Sequence, residues 1–158
     1  MRLLDFFVCE ATVDDLKATE KTEVVREMVA ALVSAGRIPK RQLKAVVEAV
    51  MERERLGSTG IGHGVAIPHT KRAAVKGITG CLGRSKQGVN FAAIDGEPVY
   101  LVFLLISPPD EPGSHLKALE QISIVLRDQN FSRFMRRAAD REELVSLLRE
   151  ADETLLGN

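Results

Sequence analysis

The chain has 158 residues, 45% of them hydrophobic and 28% charged, which suits one compact domain with its own apolar core. Lys plus Arg equals Asp plus Glu at 22 each, so the formal net charge is zero and the composition argues against a general nucleic-acid or anionic-membrane binder. The longest apolar run, Val99 to Ile106, falls short of the roughly 17–25 residues that span a bilayer. The short start, Met1 to Val8, contains Asp5 and does not read as a signal peptide. Cys9 and Cys81 are far apart and outside any CxxC pair, so they read as reduced thiols of a cytoplasmic protein.

In chain order, Thr22 to Ala35 carries apolar residues at Val24, Val25, Met28, Val29, Leu32 and Val33. This is a helical stripe, and Gly36 stands where a helix end favours a positive φ. A second helix is expected from about Pro39, with Leu43, Val46, Val47 and Val50 inward, to about Arg53–Arg55. The pattern then breaks. Gly57 to Gly64 holds four glycines in eight residues, which predicts a loop that needs backbone freedom. It leads into Val65-Ala66-Ile67-Pro68-His69, read as a short strand stopped by Pro68 with His69 at its end. Gly77 to Gly83 is a further strand. Val99 to Ile106 is unbroken, apolar and rich in β-formers, the pattern of a strand buried on both faces.

The remainder reads as helical. Gly113-Ser114-His115 opens a helix carrying Leu116, Leu119, Ile122 and Leu126. Asn130 is the expected cap of a short helix with Phe131, Phe134 and Met135. Asp140 with Glu143 resembles a capping box for a last helix bearing Leu144, Leu147 and Leu148. The tail after Glu150, residues 151–158, has little to anchor it. Two helices, a block of strands and three helices imply an α/β domain over residues 1–150, with helices covering a central sheet.

The chain has three histidines, His63, His69 and His115. A neutral imidazole offers a nucleophilic nitrogen near pH 7 while its other nitrogen donates a hydrogen bond, the pair of properties that transient phosphorylation needs. His69 follows Pro68 and a glycine run whose N–H groups can approach an anion. His115 lies near a predicted helix start, where free N–H groups and the helix dipole favour negative charge. Taken one at a time, each histidine also reads as an ordinary core or surface residue. Other chemistries find no support. The glycine run is neither GxGxxG nor a Walker A loop, and there is no HExxH or zinc-type Cys/His spacing. A metal site from His63, His69 and His115 lacks an orienting carboxylate nearby in sequence, so neither metal nor cofactor is expected.

Read as one string, Arg53-Glu54-Arg55-Leu56-Gly57-Ser58-Thr59-Gly60-Ile61-Gly62-His63-Gly64-Val65-Ala66-Ile67-Pro68-His69 resembles a known signature. It is that of the enzyme IIA components of the bacterial phosphoenolpyruvate:sugar phosphotransferase system (PTS), in the mannitol/fructose and nitrogen-regulatory branch. The resemblance continues through Gly88-Val89-Asn90-Phe91, Asp95-Gly96, Pro98-Val99 and Leu101 to Pro108, then His115-Leu116 to Ile122, and covers residues 3 to 150. It implies a mixed five-stranded central sheet flanked by helices on both faces. It also implies that His69 is the phosphoryl acceptor on Nε2, that His115 hydrogen-bonds the phosphoryl group and that Arg53 offsets its charge. The implied donor is the small carrier HPr in its phosphorylated form. The implied recipient is a IIB domain in sugar uptake or a regulatory target protein. Since no IIB, IIC or membrane-spanning segment is present, the expectation leans to a stand-alone nitrogen-regulatory carrier. His63 and Thr70 carry no assigned role.

Overall fold

The computed structural model describes residues 1–156. Five helices and five strands follow in order: α1 (Lys21–Ser34), α2 (Leu43–Arg55), β1 (Gly60–Gly62), β2 (Val65–Ala66), β3 (His69–Lys71), β4 (Thr79–Val89), β5 (Val99–Ser107), α3 (Pro112–Leu126), α4 (Gln129–Arg137) and α5 (Arg141–Thr154). The apolar run at the heart of the sequence is the heart of the sheet. β4 pairs antiparallel along one side of β5. On the other side β2 and then β3 lie parallel to it, from Val65 opposite Leu101 to Lys71 opposite Ser107. β1 folds back antiparallel on β2.

A strand sends alternate side chains to opposite faces, and β5 feeds two cores. Val102, Leu104 and Ile106 pack with α1 and α2, including Val25, Met28, Leu32 and Val46. Leu101, Phe103 and Leu105 pack with α3, α4 and α5, including Ile122, Met135, Leu144 and Leu148. This is the mixed five-stranded sheet with helices on both faces that the sequence implied.

The outer edge of β4 is covered by the chain's own beginning. Isolated parallel bridges join Phe7 to Gly80, Val13 to Gly83 and Glu20 to Asn90, blunting an edge that would otherwise invite pairing with another chain. Arg84, on β4 and almost wholly buried, holds this seam. Its Nε donates to the Asp14 carbonyl at 2.7 Å, and one Nη donates to Met135 and Arg136 carbonyls at 3.0 and 3.1 Å. The last two are carbonyls left open at the end of α4. Both cysteines are free, and burial pushes the Cys81 thiol pKa up.

Several boundaries differ from expectation, each for a local reason. Val65 to His69 is not one strand. Ile67-Pro68 separates β2 from β3, so His69 opens a strand instead of closing one. Part of the glycine run pairs as β1, because the left-handed turn at His63 (φ 57°) and Gly64 (φ 78°) folds it against β2. The strand expected over 77–83 continues to Val89, carried by its pairing with β5. α3 begins one residue early, with Pro112 in its first turn. Asp128, not Asn130, caps α4, its carboxylate accepting the Phe131 N–H at 2.9 Å. The tail expected from 151 is instead the end of α5. Ala151 and Asp152 are buried, and the Asp152 carboxylate accepts the N–H groups of Leu3 and Leu4 at 2.6 and 3.0 Å. Residues 157–158 lie outside the described residues.

Candidate active site

Pro68 does two things for His69. Its carbonyl accepts the Leu105 N–H at 3.0 Å, and its ring stops β2 so that the chain re-enters the sheet at His69, opposite Leu105. The His69 ring then folds back, with Nδ1 at 2.7 Å from the Ile67 carbonyl oxygen. A carbonyl oxygen only accepts, so Nδ1 carries the hydrogen and Nε2 keeps a bare lone pair. Burial is the main force lowering the pKa of this half-buried ring. The Ile67 bond and the Glu54 carboxylate oppose the drop, and the Arg53 and Lys71 charges reinforce it. The ring is therefore neutral near pH 7.

His115 reaches the same spot from α3. The two imidazole centroids lie 5.5 Å apart, with planes tilted by 55°. His115 Nδ1 is 2.5 Å from the hydroxyl of Ser107, the fully buried last residue of β5. That hydroxyl has no other partner among the described residues, so its hydrogen points at Nδ1 and the His115 proton sits on Nε2. Burial, then the charges of His69 and Lys71, lower the His115 pKa to about 4.

This depression has a consequence for stability. The unfolded His115 takes up its proton near pH 6.5, the folded one only near pH 4. Between those values the unfolded state binds more protons, so stability falls as the pH drops through that window and levels off below it. Urea midpoints measured from pH 7 to pH 4 should decline accordingly, and His115→Gln should make the decline shallower. An unchanged slope in the variant would contradict the depressed pKa.

Arg53 and Glu54 sit side by side at the end of α2. The Arg53 guanidinium donates to the Gly57 carbonyl at 2.9 Å and is near enough to His69 to lower its pKa. Glu54, which sequence reasoning passed over, is buried and holds the glycine segment in place. Its carboxylate accepts the Thr59 N–H at 3.0 Å and the Thr59 hydroxyl, and pairs with Lys21 at 3.0 Å. Lys21 in turn lies over the Phe91 ring, 4.9 Å from its centroid. Ser107 was also missed. Neither residue stands out in sequence, since a glutamate in a helix end and a serine after an apolar run are commonplace.

The structure thus gathers His69 and His115 and brings the Arg53 charge to them. It leaves His63 on the β1–β2 turn, where its N–H bonds the Asp95 carboxylate at 3.1 Å. Thr70, next in β3, points to the opposite face of the sheet from His69. Among the described residues no group of three or more His, Cys, Asp or Glu side chains is arranged to hold a metal ion. A bare imidazole nitrogen beside an imidazole N–H and a guanidinium is suited to taking an electrophilic, anionic group onto nitrogen.

The sequence model of a family described as "Phosphoenolpyruvate-dependent sugar phosphotransferase system, EIIA 2" matches residues 5–151. The chain belongs to this EIIA 2 family. It is a PTS IIA phosphocarrier. The EIIA 2 chain is 36% identical to a nitrogen regulatory protein of Bradyrhizobium diazoefficiens, over 94% of its own length and 95% of the relative's. It is 35% identical to the fructose-specific EIIABC component of Bacillus subtilis, over 88% of its own length but 22% of that protein's. Among solved structures, it superposes on the nitrogen regulatory protein IIA-Ntr of Neisseria meningitidis with a TM-score of 0.80 and 31% identity, covering 91% of this chain and 97% of the other. No helix of the described EIIA 2 residues is long and apolar enough to cross a membrane.

Proposed function

We propose that this chain accepts a phosphoryl group from phospho-HPr onto His69 Nε2 and acts as a cytoplasmic nitrogen-regulatory IIA protein. The observation that carries the proposal is the pair of imidazoles 5.5 Å apart, with Nδ1 of His69 on the Ile67 carbonyl and Nδ1 of His115 on the Ser107 hydroxyl. The His69 Nε2 lone pair forms the new N–P bond as the donor's P–N bond breaks and its electron pair returns to the donor nitrogen. The His69 Nδ1–H stays on the Ile67 carbonyl throughout, and His115 Nε2–H and the Arg53 fork bind the phosphoryl oxygens. Such transfer asks for positioning and charge stabilisation more than covalent help. Similarity to a nitrogen regulatory protein over nearly the whole of both chains supports the regulatory role. The fructose-specific relative supports a second reading, in which the phosphoryl group passes to a IIB domain for fructose- or mannitol-type uptake.

Incubation with phosphoenolpyruvate, enzyme I and HPr, followed by mapping of the modified residue, tests the acceptor; label on any other residue defeats it. Rapid discharge to a IIB domain with sugar phosphorylated would replace the regulatory reading by the transport one. Arg53→Lys keeps the charge but loses the planar fork. Losing one charge-assisted hydrogen bond costs about 1.5–3 kcal/mol, so phosphorylation should slow about 10–100-fold. A fully active Arg53→Lys protein would remove that contact from the mechanism. Ser107→Ala frees His115 Nδ1. The ¹⁵N shifts of His115 should then report a mixture of tautomers and phosphorylation should slow, while Ser107→Thr keeps both near wild type. An unchanged Nε2–H signal in Ser107→Ala would show that the hydroxyl does not set the tautomer.

A further inference from the structure

A second concave site lies away from the two imidazoles. It is a cavity of about 860 Å³ between the β1–β2 hairpin, the end of α3 and one face of α4. Arg127, Arg133, Arg136 and Arg137 line it together with His63, and no acidic side chain does. The chain as a whole is neutral, so this is a local separation of charge. The ion pairs among the described residues are Lys21–Glu54 and Lys117–Glu120, and none of the four guanidiniums takes part. The carboxylates closest in sequence to the arginines, Asp128 and Asp140, are turned to helix starts, where they accept the Phe131 and Glu143 N–H groups, and Asp95 stands behind the hairpin, bonded to the His63 and Glu97 N–H groups.

The arrangement is built rather than loose. Arg133, Arg136 and Arg137 recur at helical spacing on α4, so they share a face, and Arg127 joins them from the end of α3. The Arg136 guanidinium lies 3.8 Å from the centre of the Tyr100 ring, which holds it in place by cation–π attraction. Gly64 permits this approach, because a Cβ there would sit 3.3 Å from Tyr100 and 3.9 Å from an Arg136 nitrogen. His63 is held in the left-handed region at the rim, at φ 57°. Val65 and Leu126 supply an apolar wall.

We propose that this cavity binds a small organic molecule carrying two or more phosphate groups. Guanidinium forks match phosphate oxygens two at a time, and four of them in a lining without an acidic side chain suit a ligand with more than one anionic group. The volume falls in the range of about 300–1,000 Å³ typical of small-molecule sites, and the apolar wall takes the organic body. The concavity opens to solvent but is bounded by a hairpin and two helix segments, and that limited extent favours a compact ligand over an extended acidic peptide. The inference does not depend on which residue accepts the phosphoryl group.

Backbone amide NMR of the full chain, titrated with inorganic pyrophosphate and separately with ADP at constant ionic strength, tests this. Both should give saturable shifts at Gly62, His63 and Val65 and along 133–137, with ADP binding tighter because of its ring. Arg133→Gln with Arg137→Gln should weaken both at least tenfold, and Arg127→Gln, on the other helix, should weaken them too. These side chains are exposed, so the remainder of each spectrum should persist. His69→Ala should leave the affinities unchanged. Shifts centred on His69, shifts that never saturate, wild-type affinity in the arginine variants, ADP binding no tighter than pyrophosphate, or displacement by a hexaglutamate peptide at lower concentration would each overturn the proposal.

Discussion

His69→Ala should take up no phosphate from phosphoenolpyruvate, enzyme I and HPr, under conditions that label the wild-type protein to completion. The loss should be total because the substitution removes the attacking atom itself, not a supporting contact. His115 is not a substitute nucleophile. Its Nε2 carries the hydrogen while Ser107 occupies Nδ1, and burial keeps it from exchanging these roles cheaply. The fold should survive, since His69 is only half-buried and its one hydrogen bond runs to a carbonyl two residues away. An exposed or half-exposed substitution of this kind costs about 1 kcal/mol or less. Mass spectrometry of the intact protein, with circular dichroism as the folding control, decides the matter; a phosphorylated His69→Ala protein would end the assignment.

Glu54→Ala should be among the most damaging single changes away from the hydrophobic cores. The glutamate side chain is 2% exposed and its Lys21 partner 17%. Removing it strands that ammonium and also unpairs the Thr59 N–H and hydroxyl. Breaking one partner out of a buried ion pair costs about 3–5 kcal/mol, a large share of the about 5–15 kcal/mol that holds a typical domain together. Glu54→Gln keeps an oxygen for Thr59 and should cost less. The effect should also reach the site. Glu54 raises the His69 pKa and anchors the segment that leads to it. Its loss should therefore lower that pKa further and loosen the ring's approach. Urea denaturation measures the first effect, and ¹⁵N titration of His69 the second. A wild-type urea midpoint in Glu54→Ala would show that the Lys21–Glu54–Thr59 cluster is dispensable.

Neither Glu54 nor Ser107 could be found by reading along the chain, because the partner that gives each its role is brought to it by the fold. Glu54 matters because Lys21 reaches it from another helix; Ser107 matters because α3 returns His115 to it across a turn. His69 and Arg53 could be proposed from the sequence because the string from Arg53 to His69 is long and unusual in composition, with glycine and proline acting on their own neighbours; His115 could be proposed only because the resemblance continues to it. The same local logic misled at Val65 to His69. A proline does interrupt pairing there, but β5 is long enough to accept the chain again on the other side of it. The expected tail failed similarly. Nothing local anchors Ala151 and Asp152, yet the first turn of the chain offers Asp152 two N–H groups.

By itself the sequence determined the helical stripes of α1, α2 and α5, the doubly buried β5 and the segment that presents His69. These follow from spacing, and spacing is written in neighbouring residues. Only the tertiary structure decided which nitrogen of each imidazole holds a proton, which carboxylate steadies the glycine segment, how the N-terminal residues seal β4 and where four arginines gather around one cavity. Those depend on which groups the fold brings within a few ångströms, and a hydrogen bond or a charge acts over that distance, whatever the separation along the chain.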